Sequence, residues 1–180
     1  NKMDRTGANF ERTVQMIVDR LKAKPAPVQI PIGAEAEFAG VIDLINMKSI
    51  IYTNDVGTDV IVGDIPAELQ AAAEAARLLL VETVAETDED LTMMYLEGEE
   101  ISNEQLIEGI RKATLRSEIV PILCGTALRN RGVQPMLDAI VDYLPSPLDL
   151  PPTAGLDPKS GEEIYRDVDP SGPLSSLAFK

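Results

Sequence analysis

What the sequence lacks excludes several classes of protein. It contains no tryptophan, no histidine and a single cysteine, Cys124. One cysteine cannot form an intramolecular disulfide, and without histidine it cannot complete a structural zinc site. The longest apolar runs, such as residues 78–81, are far shorter than the roughly 20 residues of a membrane-spanning helix. No secretory signal starts the chain, so we expect the cytoplasm or an organellar matrix.

What is present is an ordinary globular composition with a strong negative charge. The 180 residues can bury one sizeable core, and the formal net charge is −14. A surface this acidic repels phosphate backbones and attracts basic protein surfaces, although the same charge also favours solubility. We therefore expect a monomer without direct nucleic-acid contacts. The chain begins without methionine and ends in "SSLAFK" (175–180), which resembles the start of a strand, so we expect a segment cut at both ends.

The first third of the chain predicts a helix followed by a small sheet. The helix starts near Asn9, with Asn9 or Thr6 as its N-cap, and should end before the rigid break at residues 25–27. Its apolar face consists of Phe10, Val14, Ile17, Val18 and Leu21. Four short β-branched runs then predict an antiparallel sheet, namely residues 28–32, 40–45, 49–53 and 59–62.

The middle of the chain predicts two helices. Helical spacing starts after Pro66 and persists past Leu91, and Ser102-x-x-Gln105 fits a capping box at the start of a second helix. A sheet followed by helices indicates a compact α+β module over residues 28–118.

From residue 119 the pattern becomes that of an α/β fold. The continuous apolar run at 119–124 predicts a strand buried on both faces of a parallel sheet. A loop with Gly125-Thr126-Ala127 follows it, and a helix begins after Gly132. In such folds the functional loops lie at the carboxyl ends of the strands. The Pro-rich stretch at 145–152 predicts a linker to a further domain.

The first four residues, Asn1-Lys2-Met3-Asp4, suit recognition of a guanine base. Guanine presents N1–H and a 2-amino group on one edge, and the carboxylate of Asp4 can accept from both. Lys2 can lay its aliphatic stem on the purine face, and Asn1 can tie the quartet to a neighbouring loop. A solvated turn before the first helix is the alternative for the quartet alone.

A second motif, Thr126-Ala127, strengthens the guanine hypothesis. A Ser/Thr-Ala turn after a buried strand can supply a backbone N–H to the guanine O6, here from Ala127, while Thr126 steadies the loop. The two motifs together favour a guanine pocket over a chance match.

Several long stretches resemble bacterial or organellar translation elongation factor G, among them "NKMDRTGANF", "VQIPIGAEAEFAGVIDLINMKSIIY" and "VPILCGTALRNRGVQPMLDAIVDYLPSPLDLPP". The resemblance covers essentially the whole chain. It implies the C-terminal part of a P-loop GTPase domain (1–27 and 119–147), interrupted by an inserted α+β subdomain (28–118) and followed by the start of a β-barrel domain (148–180). It also implies GTP or GDP binding, Mg²⁺, and translocation of tRNA and mRNA on the ribosome.

The resemblance assigns guanine binding to Asn1, Lys2, Asp4, Thr126, Ala127 and Leu128. Thr126 stands where the family more often has serine, which keeps the hydroxyl. Leu128 replaces the lysine of many other GTPases, so only apolar packing is expected of it. Related ribosome-bound GTPases, such as ribosome-protection proteins and release factors, are the nearest rivals.

The sequence lacks the parts that hydrolyse GTP. No glycine is followed by lysine, so there is no G-x-x-x-x-G-K-[ST] phosphate loop, and Mg²⁺ should bind through residues of the parent outside this chain. Asp4-x-x-Gly7 and Asp169-x-x-Gly172 fit the short Asp-x-x-Gly pattern of a GTPase switch segment next to Mg²⁺. We interpret both matches as coincidences. We expect no catalytic residue here, and weak or no GTP binding by the isolated segment.

The helix after Pro66 is acidic and apolar on more than one face. Its candidate docking residues are Leu78, Val81, Glu82 and Glu86. Burial against the sheet and the next helix is one interpretation, and a groove for a partner protein is the other. The resemblance favours the ribosomal stalk protein as that partner. A non-hydrolytic docking module therefore remains the alternative function of another class.

Overall fold

The computed structural model describes residues 1–174 and 176. These belong to two compact units, Asn1–Leu144 and Pro145–Lys180. The strand expected in "SSLAFK" lies outside the described residues except for Ser176, and the predicted domain boundaries stay predictions.

The first helix begins where its capping residue predicts. Helix α1 spans Phe10–Met16, and the Asn9 side chain accepts a hydrogen bond from the Arg12 N–H at 2.7 Å. A π-helical turn, Ile17–Leu21, continues it and ends at Lys22 in the left-handed conformation. Of the predicted apolar face only Phe10 is buried, whereas Leu21 is 71% exposed.

A parallel strand pair stands where the sequence predicted a break and a strand. Strand β1 (Pro25–Pro27) pairs in parallel with the strand at Val120–Ile122. The first helix ends before residues 25–27, as predicted, but starting the strands only at residue 28 was wrong, because residues 25–27 form a strand of their own. Val120 donates to Lys24 O at 2.9 Å and Val28 to Ile122 O at 3.0 Å. Burial on both faces was also wrong, because β1 is the one neighbour described for this strand and Val120 is 42% exposed.

The four predicted β-branched runs form one antiparallel sheet, as expected. Its strands, in spatial as well as chain order, are β2 (Gln29–Ile32), β3 (Gly40–Asp43), β4 (Lys48–Tyr52) and β5 (Val60–Gly63). We call this four-stranded element the inserted sheet. The later strand at Val120–Ile122 is β6.

Three helices follow the inserted sheet in the chain, and a fourth follows β6. They are α2 (Ala67–Ala85), α3 (Glu89–Glu97), α4 (Asn103–Leu115) and α5 (Val133–Tyr143). The expected single helix past Leu91 is in fact two, because Asp88 is extended and its carboxylate accepts from the N–H groups of Asp90 and Leu91. The module at 28–118 therefore has three helices rather than two. The capping box at Ser102 and Gln105 is confirmed. No helix in the described part of the chain could cross a membrane.

Two apolar clusters hold the first unit together. The larger lies between β2, β3 and helices α2 and α4, where Leu44, Leu80, Leu106 and Ile110 are essentially inaccessible. The smaller lies beneath residues 1–4 and consists of Met3, Phe10, Phe38, Val41 and Cys124. The smaller cluster joins the ends of α1 and β6 to the inserted sheet, so it positions the loops described next.

The second unit contains a hairpin that the sequence analysis missed. Strands β7 (Thr153–Leu156) and β8 (Glu163–Arg166) pair antiparallel. The turn between them is stabilised by Asp157, whose carboxylate accepts from the N–H groups of Lys159 and Ser160. The mixed α/β fold class predicted from the sequence is confirmed.

Candidate guanine-binding site

The two motifs that suggested guanine recognition meet in space. The Thr126 hydroxyl donates to Asp4 Oδ1 at 2.7 Å across 122 residues of sequence. The Ala127 N–H donates to Asn1 Oδ1 at 3.1 Å, and the Met3 N–H donates to Gly125 O at 3.1 Å. We call residues 1–7 the quartet loop and residues 124–132 the Thr126 loop. Three hydrogen bonds thus join the two loops at the carboxyl end of β6.

Each loop is a compact turn with its own internal bonds. In the quartet loop Lys2 has a left-handed backbone with φ 64°, and its carbonyl accepts from the Arg5 N–H at 3.1 Å. In the Thr126 loop, Thr126 and Arg131 exchange two backbone hydrogen bonds of 2.9 and 3.1 Å. This bridge closes a 3-10 turn at Ala127–Arg129 and leaves Thr126 only 1% exposed. The Thr126 hydroxyl is therefore held in one place before any ligand arrives.

Asp4 is prepared to act as a charged acceptor. Its side chain is 12% exposed, and Arg129 Nε lies 3.5 Å from Oδ2. The Thr126 hydrogen bond lowers the pKa of Asp4, and its own backbone N–H, Arg129 and Arg5 lower it further against an opposing effect of partial burial. Asp4 is thus ionised at neutral pH. An ionised carboxylate has about four lone-pair positions, so two donors can be accepted besides those already present.

The other predicted site residues are arranged less simply. Lys2 is exposed, and Leu128 is 84% exposed rather than packed. The Ala127 N–H, expected to donate to guanine O6, is engaged by the Asn1 carboxamide. A base could therefore take that N–H only if the Asn1 side chain moved.

Three residues around these loops were missed by the sequence analysis. Arg129 contacts Asp4, Glu35 binds the quartet loop, and Arg131 reaches from the Thr126 loop to the inserted sheet. Arg129 and Arg131 lie within three and five residues of Thr126, yet no spacing rule distinguishes them from surface arginines. The contact of Glu35 forms only when the inserted sheet has folded against residues 1–7, and no local signal in the sequence marks this contact.

Two comparisons with known proteins give the family of this chain. Residues 1–146 match the family model of the elongation factor Tu GTP-binding domain. The chain belongs to this family. A crystal structure of a protein from Thermus thermophilus is also similar, with 27% sequence identity and a TM-score of 0.71. The match covers 91% of this chain and 25% of that one, so the chain spans about a quarter of that protein's length.

The matched family is that of a GTP-binding domain. The quartet loop and the Thr126 loop lie inside the matched region. The described residues contain no group of three or more acidic, cysteine or histidine side chains suited to a metal ion. Binding of Mg²⁺ through other parts of the parent stays a prediction. Cys124 offers no alternative chemistry, because burial raises the pKa of its thiol to about 12.

The candidate docking residues on α2 have mixed surroundings. Leu78 is 54% exposed, whereas Val81 packs against the larger cluster. Glu82 accepts a hydrogen bond from the Tyr95 hydroxyl, and Glu86 forms an ion pair with Lys24 at 2.6 Å. Of the four residues, Leu78 therefore offers the accessible apolar surface.

Proposed function

We propose that this chain is a segment of a translational GTPase of the elongation factor G type and supplies its guanine specificity. The observation that carries the proposal is the hydrogen bond between Thr126 and Asp4, which unites two motifs from opposite ends of the first unit. The family match and the long resemblances in the sequence support it. The parent protein would hydrolyse GTP with Mg²⁺ and promote movement of tRNA and mRNA on the ribosome, in the cytoplasm or an organellar matrix.

In the proposed site each residue has a distinct part in reading the base. The ionised Asp4 accepts from guanine N1–H and the 2-amino group, and Thr126 fixes the rotation of the carboxylate. Ala127 donates its N–H to O6 once Asn1 has turned aside, and the Lys2 stem covers one face of the purine. Leu128 is exposed beside Ala127 and can cover apolar edges of the bound base. Adenine has an acceptor at N1 and lacks the 2-amino group, so it offers no donor to the partly buried carboxylate.

The decisive experiment replaces Asp4 so that the site should select a different base. In the full-length protein we expect Asp4→Asn to weaken GDP binding by roughly 10⁴-fold, since a site built for a hydrogen bond rejects a mismatched ligand to about this extent. The same variant should gain affinity for xanthosine diphosphate, whose C2 carbonyl can accept from the new amide. Thr126→Ser, which keeps the hydroxyl, serves as the control and should bind GDP normally. Unchanged GDP affinity in Asp4→Asn would contradict the proposal.

The isolated chain provides a second test. Phosphate contacts are expected to come from other parts of the parent, so we expect weak or no GTP binding by residues 1–180 alone. Isothermal titration that gave a micromolar dissociation constant would overturn this expectation.

A second candidate function is protein docking through α2. It is favoured by the exposure of Leu78 next to the acidic residues Glu82 and Glu86. We propose a basic surface as the partner, with the ribosomal stalk protein as the first to test. Leu78→Ser should reduce ribosome-stimulated GTP hydrolysis by the full-length protein, whereas Leu79→Ser, at the similarly exposed neighbouring position, should not. Equal rates for both variants would count against docking through Leu78.

A further inference from the structure

The inserted sheet holds the quartet loop through Glu35, which lies between β2 and β3. The Glu35 N–H donates to Met3 O at 2.8 Å, and its carboxylate accepts from the Gly7 N–H at 2.7 Å. Glu35 adopts φ 57°, a left-handed conformation that is unfavourable for a residue with a side chain. One residue of the connection between β2 and β3 therefore binds both ends of the turn that carries Asp4.

The Thr126 loop is held to the same sheet by Arg131. Its guanidinium donates to Phe38 O at 2.8 Å and to Asn54 O at 3.2 Å, which lie before β3 and after β4. Its backbone pairs with Thr126. A single residue thus links the inserted sheet to the hydroxyl that orients Asp4.

Arg131 occupies an unfavourable environment for a charged side chain. The side chain is 13% exposed, and its Nε is buried without an acceptor among the described residues. The nearby Asp55 carboxylate lies 3.7 Å away and is 97% exposed, so screening by water weakens that ion pair. A buried donor without a partner lowers stability. Arg131 thus reaches the Phe38 and Asn54 carbonyls while one of its N–H groups stays without an acceptor among the described residues.

A third contact brings the backbones of the two regions together. Gly57, in the loop between β4 and β5, accepts from the side chains of Asn130 and Gln134, both at 3.4 Å. A Cβ at this position would lie 2.4 Å from Arg129 O. The inserted sheet and the Thr126 loop therefore approach each other as closely as their backbones allow.

We propose that Arg131 is a positioning residue for guanine recognition, with Glu35 as its counterpart on the quartet loop, and that the inserted sheet is thereby part of the guanine site. The inference rests on the proposed function. Without the guanidinium, the loop that presents the Thr126 hydroxyl loses its attachment to Phe38 and Asn54. The Asp4 carboxylate is then no longer held in one orientation, so its hydrogen bond to the guanine 2-amino group becomes weaker.

The test measures nucleotide selectivity in the full-length protein. Inosine diphosphate lacks only the 2-amino group, so the ratio of its dissociation constant to that of GDP reports how well Asp4 reads this group. In Arg131→Gln we expect the ratio to fall by roughly ten- to a hundredfold, because a misplacement of about 1 Å can cost up to ~10²-fold. The ratio for Arg131→Lys should lie between those of wild type and Arg131→Gln, because an ammonium keeps the charge but lacks the planar fork that reaches two carbonyls.

Arg77 provides a matched control in the same unit. Its guanidinium donates to Leu44 O and Ile45 O, both at 2.6 Å, and to Asn103 Oδ1 at 2.9 Å, so it also links the inserted sheet to another element. It contacts neither of the two loops. Arg77→Gln should lower the melting temperature while leaving the selectivity ratio unchanged.

Three results would overturn the inference. The first is an unchanged ratio in Arg131→Gln, which leaves the proposed function intact. The second is an equal decrease in Arg77→Gln, which assigns the effect to general destabilisation. The third is a wild-type protein that binds GDP and inosine diphosphate equally, which defeats the proposed function as well. Should Arg131→Gln fail to fold, Glu35→Ala tests the same attachment from the other loop and should also lower the ratio.

Discussion

Helices α4 and α5 have similar sequence patterns and very different surroundings. They span 13 and 11 residues, and each carries apolar residues at regular helical spacing. In α4, Leu106 and Ile110 are inaccessible to solvent. In α5, Leu137 is 54% exposed and Val141 is 77% exposed. The same pattern therefore accompanies a helix inside the core and a helix whose apolar face lies open in this chain.

The comparison teaches that periodicity identifies a helix and its apolar face but not what covers that face. The helices also begin differently. Ser102 caps α4 through its side chain, whereas α5 begins at Gly132 with φ 82°. At its other end α5 receives hydrogen bonds from Arg111 of α4 to the Asp142 and Leu144 carbonyls, at 3.0 and 3.1 Å. The two helices therefore differ in the burial of their apolar faces, in the residues that start them and in the contacts at their ends. Each difference can be tested.

The largest expected effect comes from truncating the buried face of α4. Leu106→Ala should lower the free energy of unfolding by about 2–5 kcal/mol, through lost burial and the cavity left behind. Leu137→Ala on α5 should change it by less than about 0.5 kcal/mol, since its side chain is largely exposed. Urea denaturation followed by circular dichroism measures both. Similar losses for the two variants would remove the contrast between the helices.

The next effect concerns the glycine that starts α5. Gly132→Ala forces a left-handed alanine whose Cβ would meet Cys124 O at 2.7 Å. We expect a loss of roughly 1–3 kcal/mol, the usual range for such strain. Gly98→Ala is the control, because Gly98 has a similar φ of 73° but no described atom within 4 Å of the added Cβ. A larger loss for Gly98→Ala in thermal unfolding would refute the role assigned to the Cys124 contact.

A smaller effect is expected from the cap of α4. Ser102→Ala removes the oxygen that accepts from the Gln105 N–H at 3.2 Å and should lower stability by about 1 kcal/mol. Ser102→Asn should restore most of it, because asparagine is an equally good N-cap. Unfolding curves that coincide for wild type and Ser102→Ala would show that the capping box adds nothing to the packing of α4.

The smallest effect is a change in pH dependence in the loop that leads to α5. Thr126→Val removes the main cause of the lowered pKa of Asp4, so this pKa should rise toward its ordinary value. In wild type the lowered pKa stabilises the fold above the unfolded-state pKa, and this contribution is lost as the pH falls through the folded-state value. Thr126→Val should therefore lose less stability on acidification.

A carboxyl-selective NMR titration measures the pKa of Asp4 directly. Thr126→Ser is the control, because it keeps the hydroxyl and with it the low pKa. An identical Asp4 titration in wild type and Thr126→Val would contradict the hydrogen-bond explanation.

Much of the fold follows from local sequence signals. The Asn9 cap, the Ser102 capping box and the four β-branched runs each predict an element through interactions within a few residues. What the sequence does not predict depends on distant partners. Pairing of Pro25–Pro27 with β6 requires a strand almost a hundred residues away. Among the described residues β1 is the one strand beside β6, and Val120 is 42% exposed.

The candidate site shows the same division. Asp4 and Thr126 are suggested by short motifs whose chemistry suits a guanine edge. Glu35 and Arg131 contact backbone carbonyls and N–H groups, which nearly all residues have, so no motif marks their partners. The break between α2 and α3 was missed because helical spacing continues through Asp88, while an aspartate can end one helix and cap the next.

The 122-residue separation between Asp4 and Thr126 also has a consequence for the order of folding. During synthesis at ~5–20 residues per second, Thr126 follows Asp4 by a time on the order of ten seconds. The quartet loop must wait through the synthesis of the entire inserted sheet before its partner exists. Contacts so distant in sequence form late, because closing the intervening loop costs entropy before the contact is made. The contact between Asp4 and Thr126 is thus among the last that this part of the chain forms.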